Sequence, residues 1–184
     1  NFLLDRDGES RSVAVGFIVH QGTLFSVRNE ELSVFRLQRR RAVTQQGYVS
    51  DCIDLLLDLY GADVEYSADS LENIYGKMGK LGRQVLGEAI SDQQAADILA
   101  GIAEEEDQNG RIRGNILDTQ RALNFLMRSK LVSTDQFDDF DALRTDRAQL
   151  DDRIDGWVAS LDDATLASTL RYTRRGVAVE CPLW

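Results

Sequence analysis

The chain has 184 residues, 43% of them hydrophobic and 28% charged, and a formal net charge of −10. This length suits one domain with a sizeable core, and the acidic balance argues against nucleic acid or anionic lipid as a partner. No signal peptide is evident, and the longest apolar run, residues 13–19, is shorter than the roughly 20 residues of a membrane-spanning helix. A soluble chain without a nucleic-acid partner is therefore expected.

The charges are unevenly distributed along the chain. Residues 1–46 contain seven arginines and five acidic residues, whereas residues 47–184 contain 14 basic and 26 acidic residues. An acidic surface of this kind attracts cations. The same acids also have a simpler explanation, because charged faces keep long helices soluble.

Two β-rich runs near the N-terminus predict a hairpin. Residues 13–19 form the first run, Gln21 and Gly22 follow as a turn, and residues 23–28 form the second run. Residues 2–4 have the composition of the end of an earlier strand. A lone hairpin is marginally stable in water, so the small sheet is expected to continue before Asn1 and the chain to be a fragment.

A first helix is predicted after the hairpin. Asn29 has the residue type of an N-cap, Glu30 and Glu31 would occupy the first turn, and three arginines at residues 39–41 would occupy the last. The apolar side chains expected to face the sheet are Leu32, Phe35 and Leu37. Consecutive arginines also occur in nucleic-acid-binding patches, but compensation of the helix dipole explains them better in this acidic chain.

From Gly47 onward, apolar residues recur at alternating spacings of three and four, which is typical of long helices with a buried seam. The first seam consists of Ile53, Leu57, Tyr60, Val64, Leu71, Ile74, Met78, Leu81 and Val85. It predicts a helix of about 40 residues, or about 60 Å, that ends near Gly87. Glycines at positions 76, 79 and 82 indicate either a close backbone approach or a bend.

Two further long helices are predicted. A capping-box sequence at Ser91 and Gln94 marks the start of the second, and residues 133–135 mark the start of the third. The second seam consists of Ile98, Ile102, Ile112, Ile116, Leu123 and Leu126, and the third of Phe140, Leu143, Leu150, Ile154, Trp157 and Leu161, with Arg147 on the same stripe. Glu105 and Asn109 fall at seam positions, so the second helix is exposed, kinked or bordered by a partner there.

Catalysis finds little support in the sequence. His20 is the one histidine and lies at the predicted turn, where a polar turn residue is the simplest interpretation. Cys52 and Cys181 are too far apart for a CxxC motif, which favours a reduced compartment. No GxSxG, HExxH or phosphate-binding glycine motif is present, so the chain is not expected to be an enzyme.

Acid clusters are the remaining candidates for a site. Spacings of three and four place one trio on a single helix face, a second group forms a continuous run, and a pair lies at a predicted helix start. The candidate metal ligands are Asp51, Asp54, Asp58, Glu104, Glu105, Asp107, Asp138 and Asp139. Oxygen ligands suit Mg²⁺ or other hard divalent cations, and hydrated Mg²⁺ needs only one or two carboxylates. Weak regulatory sites are therefore predicted, whereas the few His and Cys residues disfavour a tight Zn²⁺ site.

Three strings carry a resemblance to a known family. Residues 15–19 (VGFIV) and 22–28 (GTLFSVR), followed by Leu32 and Phe35, resemble the strand–turn–strand–helix of the CorA magnesium transporter family. Residues 116–126 (ILDTQRALNFL) are similar to a stretch that precedes the stalk in many of its members. The resemblance covers about residues 12–133.

The resemblance implies an α+β fold, in which a small mainly antiparallel sheet is followed by three long helices that form a helical hairpin and a stalk. It divides the chain into a partial sheet subdomain (residues 1–46), a hairpin and stalk region (47–170) and a divergent tail (171–184), for which no structure is predicted. Family members are pentamers that pass Mg²⁺, Co²⁺ or Ni²⁺, and the ZntB branch handles Zn²⁺. Divalent ions between neighbouring intracellular domains are thought to keep these channels closed.

The Gly-Met-Asn signature of the pore and both membrane helices of the family are missing from the sequence. The expected function is therefore that of a cation-sensing regulatory domain of a divalent-metal transporter, on the cytoplasmic side of the inner membrane. In the full-length protein it would self-associate as a pentamer and reach the membrane through C-terminal helices. Two alternatives stay open, namely a coiled-coil structural or adaptor module without an ion role, and a Zn²⁺ transporter of the ZntB branch.

Overall fold

Long helices account for most of the structure. A computed structural model describes residues 1–6, 9–85, 90–160, 169–174 and 177–182, and it describes side chains for residues 1–4, 10–84 and 91–156. Helix α1 spans Ser33–Thr44, α2 spans Cys52–Val85, α3 spans Asp92–Ser129 and α4 spans Phe137–Ser160. The predicted α+β class and the three long helices are confirmed, whereas the predicted ends at Gly87 and Leu161 lie outside the described residues.

The chain divides into two compact units. The first comprises Asn1–Ser70 and Arg111–Asp151, and the second comprises Leu71–Gly110 and Asp152–Trp184. Helices α2, α3 and α4 each contribute residues to both units because the boundaries fall within these helices.

Two antiparallel hairpins open the first unit. Strands β1 (Phe2–Arg6) and β2 (Glu9–Val13) pair with Phe2 opposite Val13, and both of these side chains are buried. The sequence indicated only the end of a strand at residues 2–4, and the structure shows two paired strands, Phe2–Arg6 and Glu9–Val13. Burial in this pair falls on its apolar residues, since Leu3 and Leu4 of β1 are also shielded from solvent.

The second hairpin confirms the predicted strand–turn–strand. Strands β3 (Gly16–His20) and β4 (Thr23–Val27) pair around Gln21 and Gly22, whose φ angles are 48° and 76°. Positive φ at both central residues is the geometry that matches the right-handed twist of hairpin strands, and glycine adopts it without strain.

Four aromatic rings join the hairpins to the helices of the first unit. The ring centroid of Phe2 lies 5.8 Å from that of Phe17 and 5.6 Å from that of Tyr60, and Phe17 lies 6.2 Å from Phe35. Aromatic pairs at such distances add about 0.5–1.5 kcal/mol beyond the area they bury. This cluster connects β1, β3, α1 and α2.

The predicted start of α1 is wrong. The helix begins at Ser33, its N-cap is Leu32 in an extended conformation, and no acidic residue lies in its first turn. Leu32 is fully buried. Its packing fixes the point at which the helix begins and overrides the capping preference of Asn29. The predicted last turn is also corrected, because the helix continues to Thr44 and only Arg41 of the three arginines lies there.

The α1 face toward the core also differs from the prediction. Val34 is buried and Phe35 is partly buried, but the side chain of Leu37 is 42% exposed. Glu30 and Glu31, which were expected to interact with the helix dipole, form ion pairs instead. Glu30 pairs with Arg11 of β2. Glu31 contacts Arg28, which precedes α1 in the sequence, and Arg39, which lies within it.

The predicted seams of the long helices are largely buried. In the first unit the buried seam residues are Ile53, Leu57, Tyr60, Val64, Ile112, Ile116, Leu123, Leu126, Phe140, Leu143 and Leu150. In the second unit they are Leu71, Ile74, Ile98 and Ile154. Met78 and Leu81 are only partly buried, and the side chain of Trp157 lies outside the described residues.

Helix α3 passes through its polar seam positions without interruption. Glu105 is 3% exposed and its Oε1 lies 2.8 Å from Nζ of Lys77 on α2, within the second unit. Gly101 lies next to Leu81, so that a Cβ at Gly101 would approach the leucine Cδ1 to 3.3 Å. At these positions α2 and α3 contact each other through an ion pair and a glycine, and α3 is neither exposed nor interrupted at Glu105.

Capping boxes begin the second and third long helices. The Ser91 N–H donates to Gln94 Oε1 at 2.9 Å, and the Gln94 N–H donates to Ser91 Oγ at 3.3 Å, as predicted. Ser133 and Gln136 form the same arrangement in a 3₁₀ turn (Thr134–Gln136) that leads into α4.

A small sheet completes the second unit. Strands β5 (Ile90–Ser91), β6 (Thr169–Arg174) and β7 (Val177–Pro182) lie side by side in that order. Strands β5 and β6 are parallel, and β6 and β7 are antiparallel. The sequence patterns predicted no structure for this tail. No helix in the described part of the chain is both long enough and apolar enough to cross a membrane.

Candidate cation-binding residues

The first two predicted acids hold the start of α2 together. Asp51 Oδ1 accepts hydrogen bonds from the backbone N–H groups of Asp54 (2.9 Å) and Ile53 (2.8 Å). The bond from Asp54 is the main reason that the pKa of Asp51 lies below its ordinary value. Asp54 in turn accepts from the N–H and hydroxyl of Ser50, at 2.7 and 3.0 Å. Asp51 therefore satisfies two N–H donors of the helix start, and Asp54 fixes the segment that precedes the helix.

Asp58, one turn further along α2, lies in a partly buried polar cluster. The Tyr48 hydroxyl donates to Asp58 Oδ1 at 2.6 Å, and Arg41 donates to the Tyr48 oxygen at 3.2 Å. Burial raises the pKa of Asp58, and the Tyr48 hydrogen bond opposes that change. Asp58 Oδ2 is buried and accepts no hydrogen bond from the described residues. Only one of its two oxygens is satisfied by the surrounding protein.

The tertiary structure brings two predicted acid groups to the same region of the first unit. Gln136 Nε2 donates to Asp51 Oδ1 at 2.8 Å, although the two residues are 85 positions apart. This contact joins the start of α4 to the start of α2. Asp138 and Asp139 follow Gln136 in the first turn of α4, and both are exposed. Their position is electrostatically favourable because a helix N-terminus attracts negative charge.

The third predicted group lies on α3 in the second unit. Glu104 and Asp107 are exposed, whereas Glu105 is buried against Lys77. Glu105 is therefore already neutralised by an ammonium group, and its Oε2 is buried without a hydrogen-bond partner among the described residues. The run of acids at residues 104–107 thus contains three exposed residues, Glu104, Glu106 and Asp107, and one structural ion pair.

No group of three or more His, Cys, Asp or Glu side chains within the described residues is arranged to hold a metal ion. A dehydrated multidentate site is thus not formed by this part of the chain alone. Hydrated Mg²⁺ is compatible with the arrangement, because it keeps several waters and contacts one or two carboxylates. The assignment of the eight acids as ligands stays a prediction.

A buried carboxyl group that the sequence reasoning missed is Asp63. It is 1% exposed, and its Oδ1 accepts the Leu3 N–H at 3.1 Å, which ties β1 to α2. Burial raises the pKa of Asp63 to about 7. Residues 52–64 are apolar on more than one helix face, and this density is the sequence signal that would have placed an acid there in the core.

Comparison with known proteins gives a consistent result. Residues 2–165 match a family described as CorA-like Mg²⁺ transporter protein. The chain is 36% identical over 137 residues to a protein of Pectobacterium atrosepticum, covering 74% of this chain and 43% of the relative. It is 39% identical over 127 residues to one of Salmonella typhimurium, covering 69% and 40%. A Haemophilus influenzae protein is 35% identical over 134 residues, covering 73% and 42%. Each of these relatives is named magnesium transport protein CorA.

Proposed function

Because the chain belongs to the CorA-like Mg²⁺ transporter family, we propose that it is the cation-sensing regulatory part of a divalent-metal transporter. The family match over residues 2–165 is the observation that carries this proposal. The chain spans about two-fifths of the length of the curated relatives it matches, so the ion pathway is assigned to the remainder of the longer protein.

The regulatory ligand in this proposal is Mg²⁺, bound weakly and with most of its water. The relatives described above are named for magnesium, which favours Mg²⁺ over the Zn²⁺ of the alternative branch. Two exposed carboxylates, Asp138 and Asp139, are adjacent in the first turn of α4. Such a pair supplies the one or two acidic contacts that hydrated Mg²⁺ uses.

Self-association completes the proposed mechanism. Copies of a chain with net charge −10 repel one another, and divalent cations between them reduce that repulsion. Cation-loaded subunits would then stay together, and loss of the cations would allow them to separate. In the full-length protein we place these subunits as a pentamer on the cytoplasmic side of the inner membrane, where they report the internal Mg²⁺ concentration.

The test is calorimetric titration of the 184-residue chain with Mg²⁺ at constant ionic strength, together with light-scattering measurement of its mass. We expect millimolar binding and an increase in mass that Na⁺ does not reproduce. Parallel titrations with Co²⁺ and Zn²⁺ rank the ions. A clear preference for Zn²⁺ would favour the ZntB-like alternative, and no ion response at all would favour an adaptor module.

Two double variants test whether Mg²⁺ binds at the start of α4. Asp138→Asn with Asp139→Asn should weaken Mg²⁺ binding about threefold or more, because both candidate ligands lose their charge. Asp146→Asn with Asp152→Asn removes the same charge from exposed positions of the same helix and serves as the control. Equal loss in the two double variants would mean that Mg²⁺ acts only as a general counterion, and the proposed site would be rejected.

A further inference from the structure

We propose that a cavity in the first unit binds a small organic anion that has an oxyanion head and an apolar body. The cavity lies between β4, α1 and α2 and has a volume of about 310 Å³. This volume is at the lower end of ligand-binding pockets, which measure about 300–1,000 Å³. The inference concerns a ligand of opposite charge to Mg²⁺ and is independent of the proposed cation-sensing function.

Two guanidinium groups give the cavity its positive charge. Arg28, which directly follows β4, and Arg39 from α1 line it, and both contact Glu31 through Nη2 at 3.3 Å. One carboxylate thus faces two guanidinium groups, which leaves one positive charge in an otherwise acidic protein. Arginine recognises carboxylate and phosphate oxygens through paired N–H donors, so an oxyanion is the ligand group that fits.

Arg28 is held in a fixed position. Its guanidinium carbon lies 4.1 Å from the ring centroid of Phe35, and its Nη1 donates to Ser26 Oγ at 2.8 Å. The Arg28 side chain is 17% exposed, whereas that of Arg39 is 66% exposed. The cavity therefore combines a preorganised inner donor with an exposed outer one, and less entropy is lost when a ligand binds the inner group.

Apart from Ser26 and Gln38, the remainder of the cavity wall is apolar. Leu24 of β4 and Phe35 of α1 contribute to it, together with Leu55 and Leu59 of α2. Gln38 also lines the cavity, but its Nε2 already donates to the Asp58 carbonyl oxygen at 3.2 Å. The guanidinium groups are thus the principal donors for a ligand, and the apolar wall matches a hydrocarbon or aromatic body.

The experiment uses the 184-residue chain and three probes: octanoate, octan-1-ol and inorganic phosphate. Octanoate carries both features of the proposed ligand, and each of the other probes carries one. We expect saturable one-to-one binding of octanoate in calorimetry, at least tenfold weaker binding of octanol, and no saturable binding of phosphate. Equal affinities for octanoate and octanol would overturn the anionic part of the proposal, and absence of octanoate binding would overturn the whole.

Four variants test the location. Arg39→Gln should weaken octanoate binding about tenfold, and Ala42→Phe should abolish it because an exposed lining residue becomes large enough to fill the cavity. Glu31→Gln should strengthen binding several-fold because it removes the carboxylate that competes for both arginines. Arg40→Gln, exposed on the same helix and outside the cavity, should leave binding unchanged.

These variants change exposed side chains, so loss of folding is not expected, and circular dichroism checks it. Octanoate binding that survives Ala42→Phe would place the ligand elsewhere and reject the site. Equal effects of Arg39→Gln and Arg40→Gln would mean that octanoate responds to the overall charge of the surface and not to the cavity. That result would also contradict the proposal.

Discussion

Two buried carboxyl groups, one in each unit, show two ways of placing an acid in a core. Asp63 in the first unit is 1% exposed and accepts a hydrogen bond from the uncharged Leu3 N–H. Glu105 in the second unit is 3% exposed and pairs with the Lys77 ammonium group at 2.8 Å. Burial without a cation favours the protonated acid, whereas a cation offsets part of the cost of burying the charge.

The two carboxyl groups make the stability of the two units depend on different conditions. The pKa of Asp63, raised by burial to about 7, makes the first unit sensitive to pH near neutrality. The second unit instead depends on keeping Lys77 and Glu105 together. Three substitutions test this contrast, and the largest effect is expected at Asp63.

Asp63→Asn should stabilise the protein at pH 8 and remove the pH dependence that comes from this carboxyl group. The folded-state pKa of about 7 exceeds the ordinary 3.8, so the folded state binds more protons between these values, and the free energy of unfolding falls as pH rises. A difference of about three pKa units corresponds to up to about 4 kcal/mol. Asparagine keeps an acceptor for Leu3 without the charge.

Urea unfolding of both proteins from pH 4 to pH 8 measures this effect. The wild-type stability should decrease over that interval, and the variant should gain relative to it as pH rises. A constant difference between the two proteins at every pH would show that Asp63 does not titrate in the folded state, and the comparison would fail.

Lys77→Met should destabilise the protein by about 2 kcal/mol, because it leaves the Glu105 carboxylate buried without its cation. This value lies below that for fully buried pairs, since the Lys77 side chain is 52% exposed. Adding Glu105→Gln should recover part of the loss, because the amide carries no charge to bury. Thermal unfolding of the two single variants and the double variant gives the coupling energy. Strict additivity would contradict the pairing.

Tyr48→Phe should cost about 1 kcal/mol, the typical contribution of one hydrogen bond. Asp58 resembles Asp63 in that burial raises its pKa, but the Tyr48 hydroxyl opposes the change. Removing the hydroxyl should raise the pKa of Asp58 further, so the loss of stability should be larger at pH 8 than at pH 4. Chemical unfolding at the two pH values checks the sign. Asp69→Asn, exposed on the same helix and outside the Tyr48 contact, is the control.

For the candidate acids, the sequence predicted positions along the chain but not hydrogen-bond partners. Helical spacing placed Asp54 and Asp58 on α2, whereas Asp51 lies one residue before the helix begins. It did not reveal that Asp51 and Asp54 serve as acceptors for the helix start, or that Asp58 is held by Tyr48. Periodicity locates a residue on a helix, but its hydrogen-bond partners depend on the connections before the helix and on segments distant in sequence.

The sequence alone determined the β3–β4 hairpin, the three long helices, the capping box at Ser91 and the family resemblance. The hairpin, the helices and the capping box depend on interactions between residues that are only a few positions apart, so local patterns encode them.

The tertiary structure decided the start of α1 at Ser33, the burial of Asp63, the pairing of Glu105 with Lys77 and the cationic cavity at Arg28. Each depends on which distant segment excludes water from a side chain. Desolvation then sets the cost of its charge and the need for a partner.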